Sequence, residues 1–98
     1  MQIIAVLAPS PTAGADTIKA HAVEENRAVW ELYRQGSLRE MHFRTDRPGA
    51  VFRLEAASLE EARTMLAELP MVALGVLVPE LIPVGPFLPL ENLFAPQE

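Results

Sequence analysis

Residues 16–36 read DTIKAHAVEENRAVWELYRQG, and the spacing inside this stretch decides the fold. Ile18, Ala22, Val29 and Leu32 recur at helical intervals, and Gly36 stands where a glycine in the left-handed conformation closes a helix. The stretch therefore predicts one long amphipathic helix over 16–35. Before it, residues 2–8 (QIIAVLA) are apolar on both alternating faces, the pattern of a strand in the middle of a sheet, and Pro9 to Gly14 interrupts them. After it, residues 37–45 and 50–57 alternate around Asp46-Arg47-Pro48-Gly49, whose proline and glycine suit a reverse turn, so the pair reads as a hairpin.

Further along, Ser58-Leu59-Glu60-Glu61 has the form of a capping box in which Ser58 and Glu61 satisfy each other's backbone donors. A second helix follows with its apolar stripe at Leu59, Ala62, Leu66 and Leu69, and Pro70 ends it because proline cannot extend the hydrogen-bond ladder. Residues 76–84 complete the pattern as a fourth strand, so the order is β-α-β-β-α-β over a domain at 1–84. The remainder, 85–98, has prolines at 86, 89 and 96 among Phe87, Leu88, Leu90, Leu93 and Phe94. This composition predicts an ordered arm that docks on its own domain or across a subunit interface.

With 98 residues the chain fits a single core. A chain of this size buries only about two-thirds of its unfolded surface, which favours completing that burial against further copies of itself. Thirteen acidic residues against eight basic ones give a net charge of -5, and no basic cluster offsets it locally, which excludes nucleic acid as a natural partner. The absence of cysteine removes thiolate nucleophiles, disulfides and zinc-thiolate sites, and fits a reducing cytoplasm. The apolar run Ile3–Ala8 is too short to span a membrane and lacks the basic start of a signal peptide. Two histidines 21 residues apart do not make a metal site, and no Gly-rich phosphate loop or G-x-S-x-G elbow occurs. No metal and no cofactor is therefore expected.

The residue that draws attention is Glu25. Positions 18, 22, 25, 29 and 32 are separated by 4, 3, 4 and 3, so the carboxylate completes a stripe whose other members are all apolar. Burying an ionised carboxylate costs several kcal/mol in effect, which is relieved by protonation, by pairing or by facing a cavity. Desolvation raises a Glu pKa, and a carboxyl raised to about 6–7 both takes and returns a proton near neutral pH. Two readings follow: a proton-transfer base, or a structural carboxylate at the stripe's edge or in a buried ion pair. His21 and Tyr33 flank the stripe and are expected to orient a substrate.

The hairpin offers a partner for Glu25. An even-numbered loop that pairs 43 with 54 and 41 with 56 places Arg39, Met41 and Phe43 on one face with Phe52, Leu54 and Ala56. On that register Arg39 projects into the space of Glu25, where it holds an anionic substrate group or neutralises the carboxylate, while Met41 and Phe43 wall the pocket. The same register sets Arg44 opposite Arg53 and His42 opposite Glu55 on the other face, which is solvated in a monomer and a polar interface in a dimer. His42 there is a weak candidate base. Val23 and Trp30, seven apart and off the core stripe, suggest helix packing or a subunit contact.

Several of these features together resemble the muconolactone isomerase-like proteins, small members of the dimeric α+β-barrel (ferredoxin-like) superfamily. The resemblance covers roughly residues 16–84 and rests on Glu24-Glu25 ahead of Gly36, on Gly36-Ser37-Leu38-Arg39, on Ser58-Leu59-Glu60 and on Leu69-Pro70. It implies a βαββαβ fold with an antiparallel four-stranded sheet, two helices on one face and subunits paired into an α+β barrel. It also implies a homo-oligomeric, cofactor-free isomerase in which the carboxylate matching Glu25 shuttles a proton across a small unsaturated lactone. The family's lysine shortly before the acid is not matched: Lys19 lies off the stripe and His21 and Ala22 stand near it, which leaves Arg39 as the cation for a dienolate. Two further readings stand beside the isomerase. One is a cofactorless monooxygenase of the same superfamily, the other a non-catalytic oligomeric domain that binds a small molecule.

Overall fold

The structure, a computed structural model, describes residues 1–94. In chain order it contains β1 (Gln2–Pro9), α1 (Ala15–Arg34), β2 (Leu38–Phe43), β3 (Ala50–Glu55), α2 (Leu59–Ala67), α3 (Pro70–Ala73) and β4 (Leu77–Val84), followed by a 3-10 helix over Leu88–Leu93. The strands form one antiparallel sheet in the order β2-β3-β1-β4, so each long connection skips a strand and the two βαβ halves interleave. This is the ferredoxin-like α+β sandwich expected from the order of elements.

β1 lies in the interior of the sheet because it can be apolar throughout, and its two faces differ in cover. Ile3, Ala5 and Leu7 are completely buried beneath the helices, whereas Ile4 and Val6 on the opposite face are only partly covered. The helix-side core is completed by Leu38, Phe52 and Leu54 from the hairpin and by Ala62, Leu66 and Leu69 from the second helical region. At the outer edge, β4 carries Pro79 and Pro83, residues that a sheet accepts on an edge strand and that discourage addition of another strand.

Local chemistry sets the helix ends. Gly36 adopts φ 85°, and the amides of Gly36 and Ser37 return to the carbonyls of Tyr33 and Leu32 at 3.1 Å each, closing α1 with a Schellman turn. At α2 the hydroxyl of Ser58 accepts the Glu61 amide at 3.1 Å, as the capping box predicts. The reciprocal bond differs from the expectation: the Glu61 carboxylate accepts the amide of Ala57, 2.9 Å away, not that of Ser58.

Three departures from the sequence reading shape the site. The first is the hairpin register, in which Phe43 faces Ala50 and Met41 faces Phe52, not 54 and 56. The loop over 44–49 is drawn tight by an Arg44 amide bond to the Gly49 carbonyl (3.0 Å) and by Arg44 on Asp46 (2.6 Å), so pairing begins close to the turn. The four-residue shift is even and leaves Met41 and Phe43 on the helix-facing side. It also sets Glu40, not Arg44, opposite Arg53 and places Val51 opposite His42.

The second departure is a β-bulge between Leu38 and Glu40. Arg39 is the extra residue, so Leu38 pairs with Leu54 and enters the core at 1% exposure while Arg39 turns outward. A leucine gains roughly 1.5–3 kcal/mol on burial and an unpaired guanidinium loses far more, so the strand bulges to exchange one for the other. The third is that Pro70, expected only to end the second helix, opens a further helical turn, α3, after α2 has closed at Ala67. Proline at the first helical position forfeits only an amide that the helix would leave free.

The arm leaves the sheet at Gly85. Within its described part Phe87, Leu88, Leu90, Leu93 and Phe94 are all exposed, and its 3-10 helix contains no buried residue. The expected Pro96 lies outside the described residues.

Candidate functional site

Between α1, the hairpin and α3 the sheet leaves a cleft of about 520 Å³ that opens to solvent. Its walls are Ile18, Ala22 and Val29 from α1, Met41, Phe43 and Phe52 from the hairpin, and Met71 and Leu77 from the segment after Pro70. Glu25 lies on this wall with 8% of its surface exposed, flanked by the members of its own apolar stripe. The helical period placed it there: each step of three or four residues returns the chain to the side that faces the sheet.

The carboxylate is held by the backbone. Its Oε1 accepts the amide of Met71 at 3.0 Å, a buried bond that spans 46 residues of sequence. That amide is free because Met71 lies in the first turn of α3 and has no partner within so short a helix. Among the described residues Oε2 accepts no hydrogen bond and is not a sealed, unsatisfied atom, and the residue itself lines the cleft. Burial pushes the Glu25 carboxyl above its ordinary value, and the Met71 amide, which favours the anion, works against that shift without cancelling it. The outcome is an anchored, partly desolvated carboxyl on the wall of the cleft.

Met41 and Phe43 meet Glu25 at the cleft, Phe43 at its mouth with 88% of its surface exposed. Arg39 does not. The bulge turns it away, and its Nε donates to the Gly36 carbonyl at 2.6 Å. His21 also lies off the cleft, with Nδ1 buried, 3.5 Å from a Glu24 oxygen and without hydrogen-bond geometry. Tyr33 sits nearer the end of α1, exposed, with its ring 5.6 Å from that of Trp30. Neither His21 nor Tyr33 lines the cavity that Glu25 lines, because each is one helical step off the stripe. The ion pair allowed by the structural reading is absent too: among the described residues no cation pairs with Glu25.

Asn26 and His42 border the cleft beside Glu25, Met41 and Phe43. The sequence reading assigned no role to Asn26, whose 100° offset from Glu25 reads as solvent-facing; it is exposed and yet lines the cleft. Met71 was legible only through Pro70, a residue that favours the first position of a new helix. The described residues include no cluster of His, Asp and Glu suited to a metal and no helix long and apolar enough to cross a membrane.

The element order, the interleaved antiparallel sheet and the two helices packed on one face define a ferredoxin-like α+β protein. Among solved structures the chain is similar to 5-chloro-2-hydroxyhydroquinone dehydrochlorinase from Burkholderia phenoliruptrix, in complex with 2,5-dihydroxybenzoquinone. The TM-score is 0.71 over 87% of this chain and 94% of that chain, at 12% sequence identity. No protein-family model and no curated protein sequence matches the chain. At this identity the likeness establishes the fold.

Proposed function

We propose that the chain is a cofactor-free enzyme that shifts a proton alpha to the carbonyl of a small unsaturated lactone or enone, with Glu25 as base and returning acid. One observation carries the reading: a carboxyl buried on the wall of an apolar cleft, pinned by a backbone amide through one oxygen and, among the described residues, without a hydrogen-bond donor on the other. A structural carboxylate would spend both oxygens on the protein. Here Glu25 takes the proton from carbon, the electron pair moves into the carbonyl as an enolate, and the carboxyl, whose proton exchanges with solvent through the open cleft, returns a proton at the conjugated carbon. Burial raises the carboxyl pKa above its ordinary value, which moves the pH at which base and acid forms coexist toward neutrality, and each half of the cycle needs one of them. Asn26 at the rim is the nearby neutral donor for the enolate oxygen. The resemblance to muconolactone isomerase-like proteins supports the same reaction class.

The test is exchange of substrate protons with deuterated water, followed by NMR, for the wild type and Glu25→Gln. Glutamine keeps an oxygen for the Met71 amide, so the fold persists while exchange falls by about 10²–10⁴. Full exchange by a folded Glu25→Gln protein would identify a binding domain instead. A second reading, cofactorless oxygenation of a flat aromatic, draws on the apolar walls and on the quinone held by the structural neighbour. Oxygen consumption with such a ring, independent of Glu25, would favour it.

The same proposal includes self-association. Val78, Ile82 and Val84 on the uncovered side of the sheet and the apolar arm are exposed in the single chain, and a further copy would bury them.

A further inference from the structure

We infer that the Glu25 cleft takes electrically neutral carbonyl compounds of one or two fused rings and rejects carboxylates, a refinement that rests on the proton-transfer reading. A carboxylate in the cleft would need a cation, and among the described residues no lysine or arginine lines it, while the imidazole of His42 lies 3.8 Å from the Glu40 carboxylate. The arginines of the neighbouring strands are committed elsewhere: Arg39 to the Gly36 carbonyl at 2.6 Å, Arg44 to Asp46 at 2.6 Å, and Arg53 to Glu40 at 3.3 Å. Lys19 and Arg27 lie on exposed parts of α1 off the stripe and do not reach the cavity wall.

What does line the cleft favours a neutral guest. The walls are almost entirely hydrocarbon and sulfur, and the ionisable groups on them are Glu25 and His42. An anion seated against those walls would lose its hydration and face the Glu25 carboxylate with nothing in between, while the net charge of -5 opposes its approach. A neutral ketone or lactone meets neither penalty: its ring replaces water on Phe52, Met41 and Val29, and its carbonyl needs one donor, which the Asn26 carboxamide supplies. The volume of about 520 Å³ falls in the range that accepts a drug-sized molecule, which is why two fused rings fit as well as one.

The experiment compares a matched pair on the full-length protein: 2-tetralone, a neutral bicyclic ketone with exchangeable α-protons, and its 6-carboxylate. Binding is measured by isothermal titration calorimetry near neutral pH for the wild type and for Asn26→Lys, which adds a cation at the rim. The wild type is expected to bind the ketone at least about tenfold more tightly than the carboxylate, a difference of about 1.4 kcal/mol. In Asn26→Lys the carboxylate should gain and the ratio shrink. Equal or tighter binding of the carboxylate by the wild type would overturn the inference, as would failure of 2-tetralone to bind. Deuterium exchange into bound 2-tetralone, measured on the same samples, separates this result from the reaction: preference without exchange defeats the proton-transfer reading alone, and exchange with a carboxylate preference defeats the neutral-substrate inference alone.

Discussion

Replacing Glu25 by glutamine should change how stability depends on pH, and the direction follows from the site. The folded protein buries the carboxyl and raises its pKa above the ordinary value of 4.5, so the native state holds this proton more tightly than the unfolded chain does. A group raised in this way contributes stability that is fully present below its unfolded pKa and is lost as pH rises through the folded value. Across that window the wild type loses up to about 1.4 kcal/mol for each pH unit between the two values. Glutamine is nearly isosteric, keeps an acceptor for the Met71 amide at 3.0 Å and cannot ionise. The two proteins should therefore coincide at about pH 4, where the glutamic acid is neutral as well, and diverge above it with glutamine the more stable. In a domain of this length each kcal/mol corresponds to roughly 4–8 °C in Tm, a difference that circular dichroism melts resolve at fixed protein concentration. Other titrating groups, such as Asp46 held far below its usual range by Arg44, are common to both proteins and cancel in the difference. Parallel Tm curves from pH 4 to 8, or a wild type more stable than the variant at neutral pH, would refute the description of Glu25 as a desolvated carboxyl. A Glu25→Leu protein supplies the contrast, since it strands the Met71 amide at a cost of about 1–3 kcal/mol.

Arg39→Ala is expected to leave proton exchange unchanged and to shift stability by no more than about 0.5 kcal/mol, because the side chain is exposed and reaches only the Gly36 carbonyl. A large loss of activity would return Arg39 to the site. Gly49→Ala should destabilise more than Gly36→Ala in denaturant melts, since both glycines have positive φ but an added Cβ meets the Leu7 carbonyl oxygen at 2.7 Å at Gly49 and open space at Gly36. The Gly36 change should cost about 1 kcal/mol from backbone strain alone. Removing residues 86–98 should reduce the sedimentation coefficient by more than the lost mass if the arm holds subunits together. An unchanged subunit number would assign association to the sheet face.

Much of the architecture was legible because it is written locally. The stripe through Ile18, Ala22, Glu25, Val29 and Leu32, the closing Gly36 and the Ser58 cap each depend on neighbours within a turn or two, so period and capping chemistry suffice. The order of elements then admits few sheets, and the interleaved one was realised. Glu25 in the interior was legible for the same reason: helical geometry turns a spacing of three and four into a direction.

What surrounds Glu25 was decided only in three dimensions. Counting along β2 puts Arg39 on the helix-facing side, but the core accepts Leu38 there, and one bulge removes the expected cation from the site. The group that does meet the carboxylate is a backbone amide 46 residues away, presented by a one-turn helix that Pro70 begins. A backbone amide has no sequence signature, and competition between two side chains for one buried position depends on what else fills the core. The sequence by itself therefore determined that a carboxyl would lie among apolar neighbours under the sheet. Tertiary packing decided that it would be anchored by an amide, left without a counter-ion among the described residues and set in the wall of an open cleft.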